Sequence, residues 1–256
     1  MKVVVLGASG RIGTKLVRTL RQRGRDVVAA SPTFGVDSVT GAGLRSALDG
    51  ANIVVDVSNS PSLDGPDALR FFEVSSRNLL AAGRVAGVRH HIILSVVGVD
   101  GPPSGYFRAK RMQEHLVRAS GLPFTILRST QFFEFIRDVV QEGTADEIAI
   151  SPALVQPVAS QDVASALAEV MTKKAENAVF EIAGAEQLRL NEVAAEIATA
   201  YEDGRRIVAD VHARYFGATL SERSLLPGPS ARIAPHGFDG WLRDSLQPAW
   251  ALAKTG

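Results

Sequence analysis

The chain has 256 residues, of which 46% are hydrophobic and 21% charged, as is ordinary for a soluble globular protein. Its formal net charge of +1 gives no reason to expect nucleic acid or an anionic membrane as a partner. The absence of cysteine excludes disulfides, thiolate catalysis and cysteine-ligated metals. Because the apolar run after Met1 is too short for a signal peptide and no stretch approaches a membrane span, we expect a cytoplasmic protein.

The first half of the chain alternates short apolar runs with amphipathic helical patterns. Near-continuous apolar strands are buried on both faces, and strands that alternate with helices form parallel sheets. This half therefore predicts an α/β fold with a doubly wound parallel sheet. The predicted strands are Val3–Leu6, Asp26–Ala30, Ile53–Val57, His91–Ser95 and Phe124–Leu127.

After Arg128 the pattern loosens, and the predicted elements lie further apart. One helix follows a predicted strand at Val155–Val158, and Asp162 is expected to cap it. A second amphipathic helix and a short final helix flank an irregular segment that is rich in glycine and proline. The remaining predictions are a helix at Gln131–Gln141, a strand at Val179–Ile182, helices at Leu188–Tyr201 and Phe238–Leu246, and a loop region at Arg214–Pro235.

The first predicted strand runs straight into the heptapeptide GASGRIG. A strand that turns tightly into a helix needs glycine at three positions. The first is the turn itself, the second is the place where a pyrophosphate approaches the backbone, and the third is the place where helix and strand pack closely. The free N–H groups at the start of the helix then bind phosphate. This context predicts a dinucleotide site rather than a glycine-rich turn without a ligand. The predicted cofactor-binding residues of the turn are Gly7, Ser9, Gly10, Arg11, Ile12 and Gly13.

The end of the second predicted strand bears on which dinucleotide binds. A carboxylate there would hydrogen-bond the ribose 2′-hydroxyl of NAD and would repel the extra phosphate of NADP. Ser31 and Thr33 stand where such a carboxylate would be, and Arg11 is expected to reach the same corner. The sequence therefore predicts NAD(P)(H) with NADP mildly favoured. No arginine follows Ser31, so NAD stays open.

A second group of residues follows the predicted strand that ends at Ser95. Tyr106 and Lys110 are four apart on a predicted helix, so both face the same way. A free tyrosine has a pKa near ~10, and a neighbouring ammonium with a cationic nicotinamide above it would lower that value. The pair therefore predicts a proton-transfer site. The alternative is that Tyr106 packs, Lys110 only binds cofactor, and Ser95 caps the next turn.

The G-x-x-G-x-x-G spacing and the Tyr-x-x-x-Lys pair resemble the short-chain dehydrogenase/reductase superfamily, especially its extended and atypical branches. The segments YFRAKRMQEHLVRASGLPFTILRSTQFFEF, PVASQDVASAL and ARYFGATLSERSLLPG resemble its NmrA-like atypical members, so the likeness covers nearly the whole chain. The resemblance implies a Rossmann core over residues 1–130, completed by 154–184. It also implies a small C-terminal substrate-binding lobe formed by 131–153 and 185–256.

The resemblance also implies roles for individual residues. The family's tyrosine exchanges a proton with the substrate oxygen, its lysine also holds the nicotinamide ribose, and its serine orients the substrate carbonyl. These roles would fall on Tyr106, Lys110 and Ser95. The resemblance implies three further cofactor contacts. Asp37, placed by the resemblance at the end of the third strand, would contact the adenine, and Ser58 and Asn59 would contact the nicotinamide ribose.

Candidate substrate contacts follow the fifth predicted strand and lie in the C-terminal region. Ligands of doubly wound sheets sit outside the carboxyl ends of the strands, which makes Gln131 and Phe132 candidates. Tyr215, Phe216 and Trp241 would close an apolar pocket, with core packing as the alternative.

The expected function is NAD(P)H-dependent reduction of a carbonyl or quinone in a small, largely apolar substrate such as an aromatic polyketide. One alternative is an oxygen-using, monooxygenase-type tailoring enzyme with nicotinamide as reductant, and another is a non-catalytic NAD(P)-sensing regulator. All three need the same dinucleotide site. We expect a monomer or homodimer with a small-molecule substrate. No metal is expected, because His90 and His91 lack further ligands at suitable spacing.

Overall fold

The computed structural model describes residues 1–63, 65–101, 105–142 and 145–247. The strands within these ranges are β1 (Lys2–Leu6), β2 (Asp26–Ala30), β3 (Ile53–Asp56), β4 (His90–Val96), β5 (Phe124–Ser129), β6 (Glu147–Ile150), β7 (Leu154–Val155), β8 (Ala178–Ala183), β9 (Leu188–Arg189), β10 (Arg206–Ala209), β11 (Arg214–Tyr215), β12 (Ala218–Thr219) and β13 (Arg232–Ile233). The helices are α1 (Arg11–Gln22), α2 (Leu44–Leu48), α3 (Gly65–Val85), α4 (Gly105–Ala119), α5 (Phe133–Glu142), α6 (Ser160–Val170), α7 (Leu190–Ala200) and α8 (Phe238–Leu246).

Seven strands form one sheet in the order β2-β1-β3-β4-β5-β8-β13, and every neighbouring pair is parallel. The chain places β2 on one side of β1 and β3 on the other, so the direction of winding reverses there. This reversal is the switch point at which doubly wound sheets bind their ligands. The predicted α/β class with a doubly wound parallel Rossmann sheet is therefore confirmed.

Helices cover both faces of the sheet. On one face α1 and α6 pack together through buried residues such as Leu16, Leu20 and Leu167. On the other face α2 and α3 bury Leu48 and Leu79 against β1 and β3. The central strands can be almost wholly apolar because both of their faces are covered. No helix of the described segments combines the length and the apolar character needed to cross a membrane.

A separate apolar cluster lies among α5, α7 and α8. It is centred on Phe133, Ile136, Ile197 and Trp241. Both segments of the predicted substrate lobe contribute to it, and their use for substrate remains a prediction. The end of that predicted lobe, 248–256, lies outside the described residues.

The structure corrects the predicted cap of α6. The helix begins at Ser160, and the side chain that accepts a hydrogen bond from its backbone N–H is Glu134 of α5, with Oε2 at 3.1 Å. Asp162, which the sequence suggested for this role, lies in the first helical turn and contacts Nδ1 of His236 at 2.6 Å. Because Glu134 is distant in the chain, local sequence could not reveal it as the cap.

Other boundaries differ from the predictions by a few residues. The predicted helix at Leu188–Tyr201 is α7 preceded by the short strand β9, and the predicted helix at Gln131–Gln141 is α5. The segment Arg214–Pro235 is not wholly irregular, because it contains β11, β12 and β13. The predicted ranges of β2 and α8 are confirmed without change.

Candidate functional site

The turn between β1 and α1 is built around three glycines. Gly7 has a φ of +76°, and a Cβ there would lie 2.7 Å from Cα of Ser58, just after β3. A Cβ at Gly13 would lie 2.6 Å from Cα of Ala8, so α1 can pack against the turn only with glycine at this position. At Gly10 an added Cβ would meet one atom, the carbonyl oxygen of Gly7, at 3.3 Å. The turn therefore has the tight bend, the close packing and the accessible backbone that a pyrophosphate requires.

The first turn of α1 offers its backbone to an anion. The N-cap residue is Gly10, which has no side chain to accept hydrogen bonds from the N–H groups of that turn. Ser9 and Arg11 are exposed beside it. The side chain of Ile12 is only 5% exposed and belongs to the core, so this residue can contribute only its backbone. Arg11 forms an ion pair with Asp138 of α5, and its guanidinium is thus engaged there instead of at the corner after β2.

At that corner, Ser31 directly follows β2 and is 2% exposed. Its hydroxyl has no hydrogen-bond partner among the residues that the structure describes. Thr33 is exposed in the short 3₁₀ turn Pro32–Phe34. A buried hydroxyl without a partner is costly and therefore suggests a ligand.

Asp37 differs from its predicted place. It lies in the loop between β2 and α2, before β3, and not at the end of a third strand. Its carboxylate accepts hydrogen bonds from the N–H groups of Val39 at 2.8 Å and Thr40 at 3.4 Å. The bond from Val39 is the largest cause that lowers the pKa of this carboxyl. The carboxylate thus stabilises its own turn, and an adenine contact remains a prediction.

Tyr106 lies in the first turn of α4. Its hydroxyl donates a hydrogen bond of 2.9 Å to Oδ1 of Asn59. Its half-buried ring packs against Phe72, at 5.9 Å between ring centroids, and against Phe216 at 4.9 Å. Since Gly7 packs against Ser58, the residue before Asn59, direct contacts connect the glycine turn with the phenol.

Lys110 lies on the same side of α4, and both it and Tyr106 contact Phe72. Its Nζ is 4.3 Å from the centroid of the Phe72 ring. It donates hydrogen bonds to the carbonyl oxygen of Leu94 at 2.8 Å and to Oε1 of Gln113 at 2.5 Å. The residue is only 3% exposed, so these bonds replace water around a buried ammonium.

The pKa values differ from the sequence-based expectation. Burial raises the pKa of Tyr106 above its ordinary value. Burial also lowers the pKa of Lys110 to about 8, although the carboxylates of Asp56 and Glu114 act in the opposite direction. In this structure the phenol and the ammonium bond to other partners and not to each other. The expected lowering of the Tyr106 pKa also required a nicotinamide cation above the phenol, and it remains a prediction for the protein with its dinucleotide.

The sequence reading missed Asp56, the last residue of β3. This carboxylate is 2% exposed. It accepts hydrogen bonds from the N–H of Ser58 at 2.9 Å, from Oγ of Ser58 at 2.5 Å and from Nε2 of Gln113 at 3.1 Å. A single carboxylate in an otherwise apolar strand was the available signal, because a buried charge needs such partners.

A second missed group fixes the loop after β4. Arg128 of β5 donates to both oxygens of Glu114, from Nε at 2.9 Å and from Nη2 at 2.8 Å. Its Nη1 also donates to Asp100 at 2.5 Å. Because Glu114 is 3% exposed, this bidentate pair neutralises a buried carboxylate on α4.

Two buried polar side chains at the carboxyl ends of β4 and β5 have no partner in the described part of the chain. They are the hydroxyl of Ser95, which is 3% exposed, and the amide of Gln131, which is 4% exposed. Such groups cost free energy unless a ligand satisfies them. Phe132 is half-buried and packs on the cluster formed by α1 and α6, and its contact with the substrate remains a prediction.

Aromatic residues of the C-terminal half lie against Tyr106. Phe216 packs on Tyr106 and lies 5.1 Å from Phe135, and Tyr215 lies 4.5 Å from Phe216. A cavity of about 60 Å³ beside them is lined largely by apolar side chains, with Phe135 and Tyr215 among them. Trp241 is 8% exposed and stacks on Phe133 at 5.1 Å, an arrangement that favours the core-packing alternative for this residue.

The two histidines of β4 are buried in the sheet. Nε2 of His90 lies 2.9 Å from Oγ1 of Thr125 on β5. His91 is 1% exposed, and burial lowers its pKa to about 4. Within the described ranges, no group of three or more candidate side chains is placed to hold a metal ion.

Comparisons with known proteins add the following findings. A family model described as NAD(P)H-binding matches residues 7–174. A (4-alkanoyl-5-oxo-2,5-dihydrofuran-3-yl)methyl phosphate reductase of Streptomyces griseus is 33% identical over 51% of this chain and 48% of that protein. A chloroplastic divinyl chlorophyllide a 8-vinyl-reductase of Cucumis sativus is 28% identical over 71% of this chain and 52% of that protein. The chain thus spans about half the length of these relatives.

A solved structure resembles the whole chain. MoeE5 in complex with UDP-glucuronic acid and NAD aligns with a TM-score of 0.77 and 22% identity. The alignment covers 99% of this chain and 100% of that one. At this identity the likeness concerns the fold alone.

Proposed function

Because the chain belongs to the NAD(P)H-binding family, we propose that it is an NAD(P)H-dependent reductase of a carbonyl or quinone in a small, largely apolar substrate. One observation supports this most directly. Gly7 packs against Ser58, and the adjacent Asn59 accepts the hydrogen bond of Tyr106. The turn proposed to bind phosphate and the residue proposed to donate a proton therefore lie at the same edge of the sheet, where doubly wound folds bind ligands.

The residues at this edge fit a dinucleotide. The backbone near Gly10 is accessible, and the hydroxyls of Ser31 and Ser95 are buried without partners in the described segments. When bound, reduced nicotinamide supplies a hydride. The residues proposed to hold the dinucleotide are Gly7, Ser9, Gly10, Arg11, Ile12 and Gly13 at the phosphates, Ser31, Thr33 and Asp37 toward the adenosine, and Ser58, Asn59 and Lys110 at the nicotinamide ribose.

Tyr106 is the proposed proton donor. Reduction of a carbonyl adds a hydride to carbon and a proton to oxygen, and the dinucleotide is oxidised by two electrons. The raised pKa of Tyr106 keeps its phenol protonated at neutral pH, the state that a donor requires. Lys110 would place a positive charge near the phenolate that remains, and Ser95 would hold the substrate oxygen. Each role draws on a side chain that is already at this edge of the sheet.

The proposed substrate is flat and largely apolar. Phe216 and Phe135 pack next to Tyr106, and Tyr215 packs on Phe216. Aromatic side chains make their most favourable packing contacts with planar apolar groups. The buried amide of Gln131 would add one polar contact for the carbonyl end. Quinones and aromatic polyketides are the substrate classes that best meet these features.

NADPH is the proposed preferred donor over NADH. The residue that directly follows β2 is Ser31, so no carboxylate there repels a 2′-phosphate. Arg11 would strengthen the preference only by leaving its ion pair with Asp138. We therefore expect a small preference, with measurable use of NADH.

A second acceptor class has support from the relatives. One is named as a vinyl-reductase, and the name of another describes an alkanoyl oxo-dihydrofuran. Both substrates contain carbon–carbon double bonds, so an alkene conjugated to a carbonyl is the second candidate. Tyr106 would then donate its proton to the oxygen of the enolate that hydride addition produces.

The test is loss of reduced-nicotinamide absorbance with quinones, enones and aromatic ketones, while dissolved oxygen is recorded. Reduction without oxygen uptake, and its collapse in Tyr106→Phe, would support the proposal. Oxygen uptake coupled to cofactor oxidation would point to an oxygen-using enzyme. Tight dinucleotide binding with no turnover of any compound would favour a sensor.

A further inference from the structure

We propose that Asp56 and Gln113 are positioning residues that keep Lys110 charged and fixed against the carboxyl end of β4. The inference deepens the proposed function, since it rests on Lys110 acting at the nicotinamide ribose and beside Tyr106. Asp56 and Gln113 are buried and polar, and neither belongs to the glycine turn or to the Tyr-x-x-x-Lys pair. The inference gives both residues a role at the proposed site.

A continuous chain of hydrogen bonds carries the inference. Nζ of Lys110 donates to Oε1 of Gln113 at 2.5 Å, and Nε2 of Gln113 donates to Oδ2 of Asp56 at 3.1 Å. The other carboxylate oxygen accepts from Oγ of Ser58 at 2.5 Å. Gln113 can join the two charges because its amide has an acceptor for the ammonium and a donor for the carboxylate. The chain therefore ends on a residue proposed to contact the nicotinamide ribose.

The arrangement of charges identifies Asp56 as the counter-ion. Glu114 is the other carboxylate that acts on Lys110, but both of its oxygens accept from Arg128 at 2.9 and 2.8 Å. The partners of Asp56 are the neutral groups of Ser58 and Gln113. A buried carboxylate with neutral partners lacks a compensating cation at contact distance. The positive charge of Lys110 compensates it through the Gln113 amide, which lies between the two charged groups.

The other titratable groups around Lys110 keep one charge state over the range of interest. The pKa of His91 on β4 is lowered to about 4 by burial, so this imidazole is neutral above about pH 6. The pKa of Tyr106 is raised, and Arg128 stays charged. Lys110, with a pKa lowered to about 8, is therefore the group whose titration between about pH 6 and pH 10 reports on the network.

Asp56 has a second use at the same edge of the sheet. It fixes the Ser58 hydroxyl as well as the Gln113 amide, so one carboxylate orients a residue after β3 and, through the amide, a residue of α4. Loss of this carboxylate would therefore disturb two proposed ribose contacts together. Loss of the amide would remove a partner of Lys110 and leave the bond between Asp56 and Ser58 in place.

The direct test is an NMR titration of the Lys110 side chain through its ¹³Cε resonance, assigned with Lys110→Arg. In Asp56→Asn the titration midpoint is expected to fall by roughly 1 pH unit or more, because removal of a nearby anion disfavours the ammonium. In Gln113→Glu the midpoint is expected to rise, because a carboxylate then contacts Nζ. Asp26→Asn, an exposed aspartate at the start of β2, is the matched control and is expected to leave the midpoint unchanged.

A charge exchange separates electrostatics from packing. The double variant Asp56→Asn/Gln113→Glu moves the carboxylate from β3 to α4 and is expected to restore the wild-type midpoint or exceed it. In activity assays, Asp56→Asn is expected to move the alkaline limb of the kcat profile to lower pH, with partial recovery at acidic pH. A merely structural role would lower activity equally at every pH.

The outcomes distinguish this inference from the proposed function. If no substrate is reduced, the proposed function fails, and the NMR midpoints still decide the role of Asp56 and Gln113. If Asp56→Asn does not fold, Gln113→Glu and Gln113→Leu decide it through their opposite shifts of the midpoint. An unchanged midpoint in folded Asp56→Asn, or in both glutamine variants, would overturn the inference.

Discussion

The hydroxyl of Tyr106 donates a hydrogen bond of 2.9 Å to Oδ1 of Asn59, 47 residues earlier in the chain. This bond joins the start of α4 to the segment after β3, and Gly7 packs on that same segment. The phenol proton is thus directed to the edge of the sheet where the glycine turn lies. A substrate oxygen must displace Asn59 as the acceptor to receive the proton.

Tyr106→Phe is expected to lower kcat by about 10²- to 10⁴-fold, the usual contribution of a positioned acid. Dinucleotide affinity is expected to stay the same, because the ring and its contacts with Phe72 and Phe216 remain. Steady-state kinetics and calorimetric titration with NADPH measure the two quantities. Tyr201→Phe, which removes a hydroxyl bonded to the carbonyl of Ser245, is the control and should leave kcat intact. An equal loss in both variants would argue against a proton-donor role.

Substitutions in the glycine turn are expected to separate folding from binding. Gly13→Ala forces a methyl group against the backbone of Gly7 and Ala8 and is expected to cost roughly 1–3 kcal/mol of unfolding free energy. In Gly10→Ala the added methyl group would meet only one atom, at 3.3 Å, so the variant is expected to fold. It is expected to bind dinucleotide at least about tenfold more weakly, because the methyl group covers backbone that the pyrophosphate approaches. Urea denaturation and calorimetric titration measure these effects.

The control for both substitutions is Gly240→Ala. This glycine lies within α8, and an added Cβ would meet nothing within 4 Å. The variant is expected to gain up to about 1 kcal/mol of stability, because alanine favours helix. Unchanged dinucleotide affinity in Gly10→Ala would show that the pyrophosphate does not approach this backbone.

The buried ammonium of Lys110 is expected to make stability depend on pH. The lysine pKa is about 8 in the folded protein and 10.5 in the unfolded chain, so the unfolded state binds more protons between these values. Stability attributable to this group therefore rises as pH increases from about 8 to about 10.5. The full difference corresponds to ~3 kcal/mol.

The measurement is urea denaturation at several pH values in wild type and Lys110→Met. Wild type is expected to gain stability relative to the variant across the alkaline range. Parallel curves for the two proteins would mean that the pKa of Lys110 is ordinary. A wild type that loses stability relative to the variant would reverse the predicted sign.

Phe216 occupies a turn position that disfavours its side chain. It joins β11 to β12 together with Gly217, and the two have φ values of +51° and +80°. Asparagine followed by glycine is the preferred pair for such a hairpin turn, whereas a bulky aromatic residue is strained there. The ring packs on Tyr106, the residue beside which the proposed substrate would lie.

Phe216→Asn is expected to raise KM for an aromatic substrate about tenfold or more, through loss of ring contacts worth ~1.4 kcal/mol or more. Thermal stability is expected to fall less than for an ordinary half-buried phenylalanine, because the turn is relieved. Phe180→Ala, on an aromatic residue of β8 that is 40% exposed, is the control. Unchanged KM in Phe216→Asn would separate this hairpin from the substrate site.

The fold and the glycine turn were accessible from sequence because their signals are local. Apolar runs such as Val3–Leu6 and the heptapeptide GASGRIG each carry their own information, and the alternation of strands and helices implies a parallel sheet. Tyr106 and Lys110 were singled out by their spacing together with their place on a helix after a predicted strand and by the family resemblance, and their roles remain a proposal.

The parts that sequence reasoning missed depend on contacts between distant segments. The link from Asp56 to Gln113 spans 57 residues, and the cap of α6 by Glu134 spans 26. The direction of the pKa shifts also depends on burial, which spacing does not report. The choice for Trp241 between a substrate pocket and core packing also stayed open, because the sequence of its short helix gives no sign of the distant cluster that buries it.

Hydride transfer is tested most directly by following deuterium from NADPH labelled at nicotinamide C4. Each C4 diastereomer is incubated with a quinone, enone or aromatic ketone that supports turnover, and the product is analysed by mass spectrometry and NMR. For a ketone or enone, we expect one deuterium on the reduced carbon from one of the two diastereomers, and a rate that collapses in Tyr106→Phe. For a quinone, where the label can exchange, the same stereospecific loss of deuterium from the nucleotide is the readout. Oxidation of NADPH with no transfer of the label, or a rate independent of Tyr106, would contradict it.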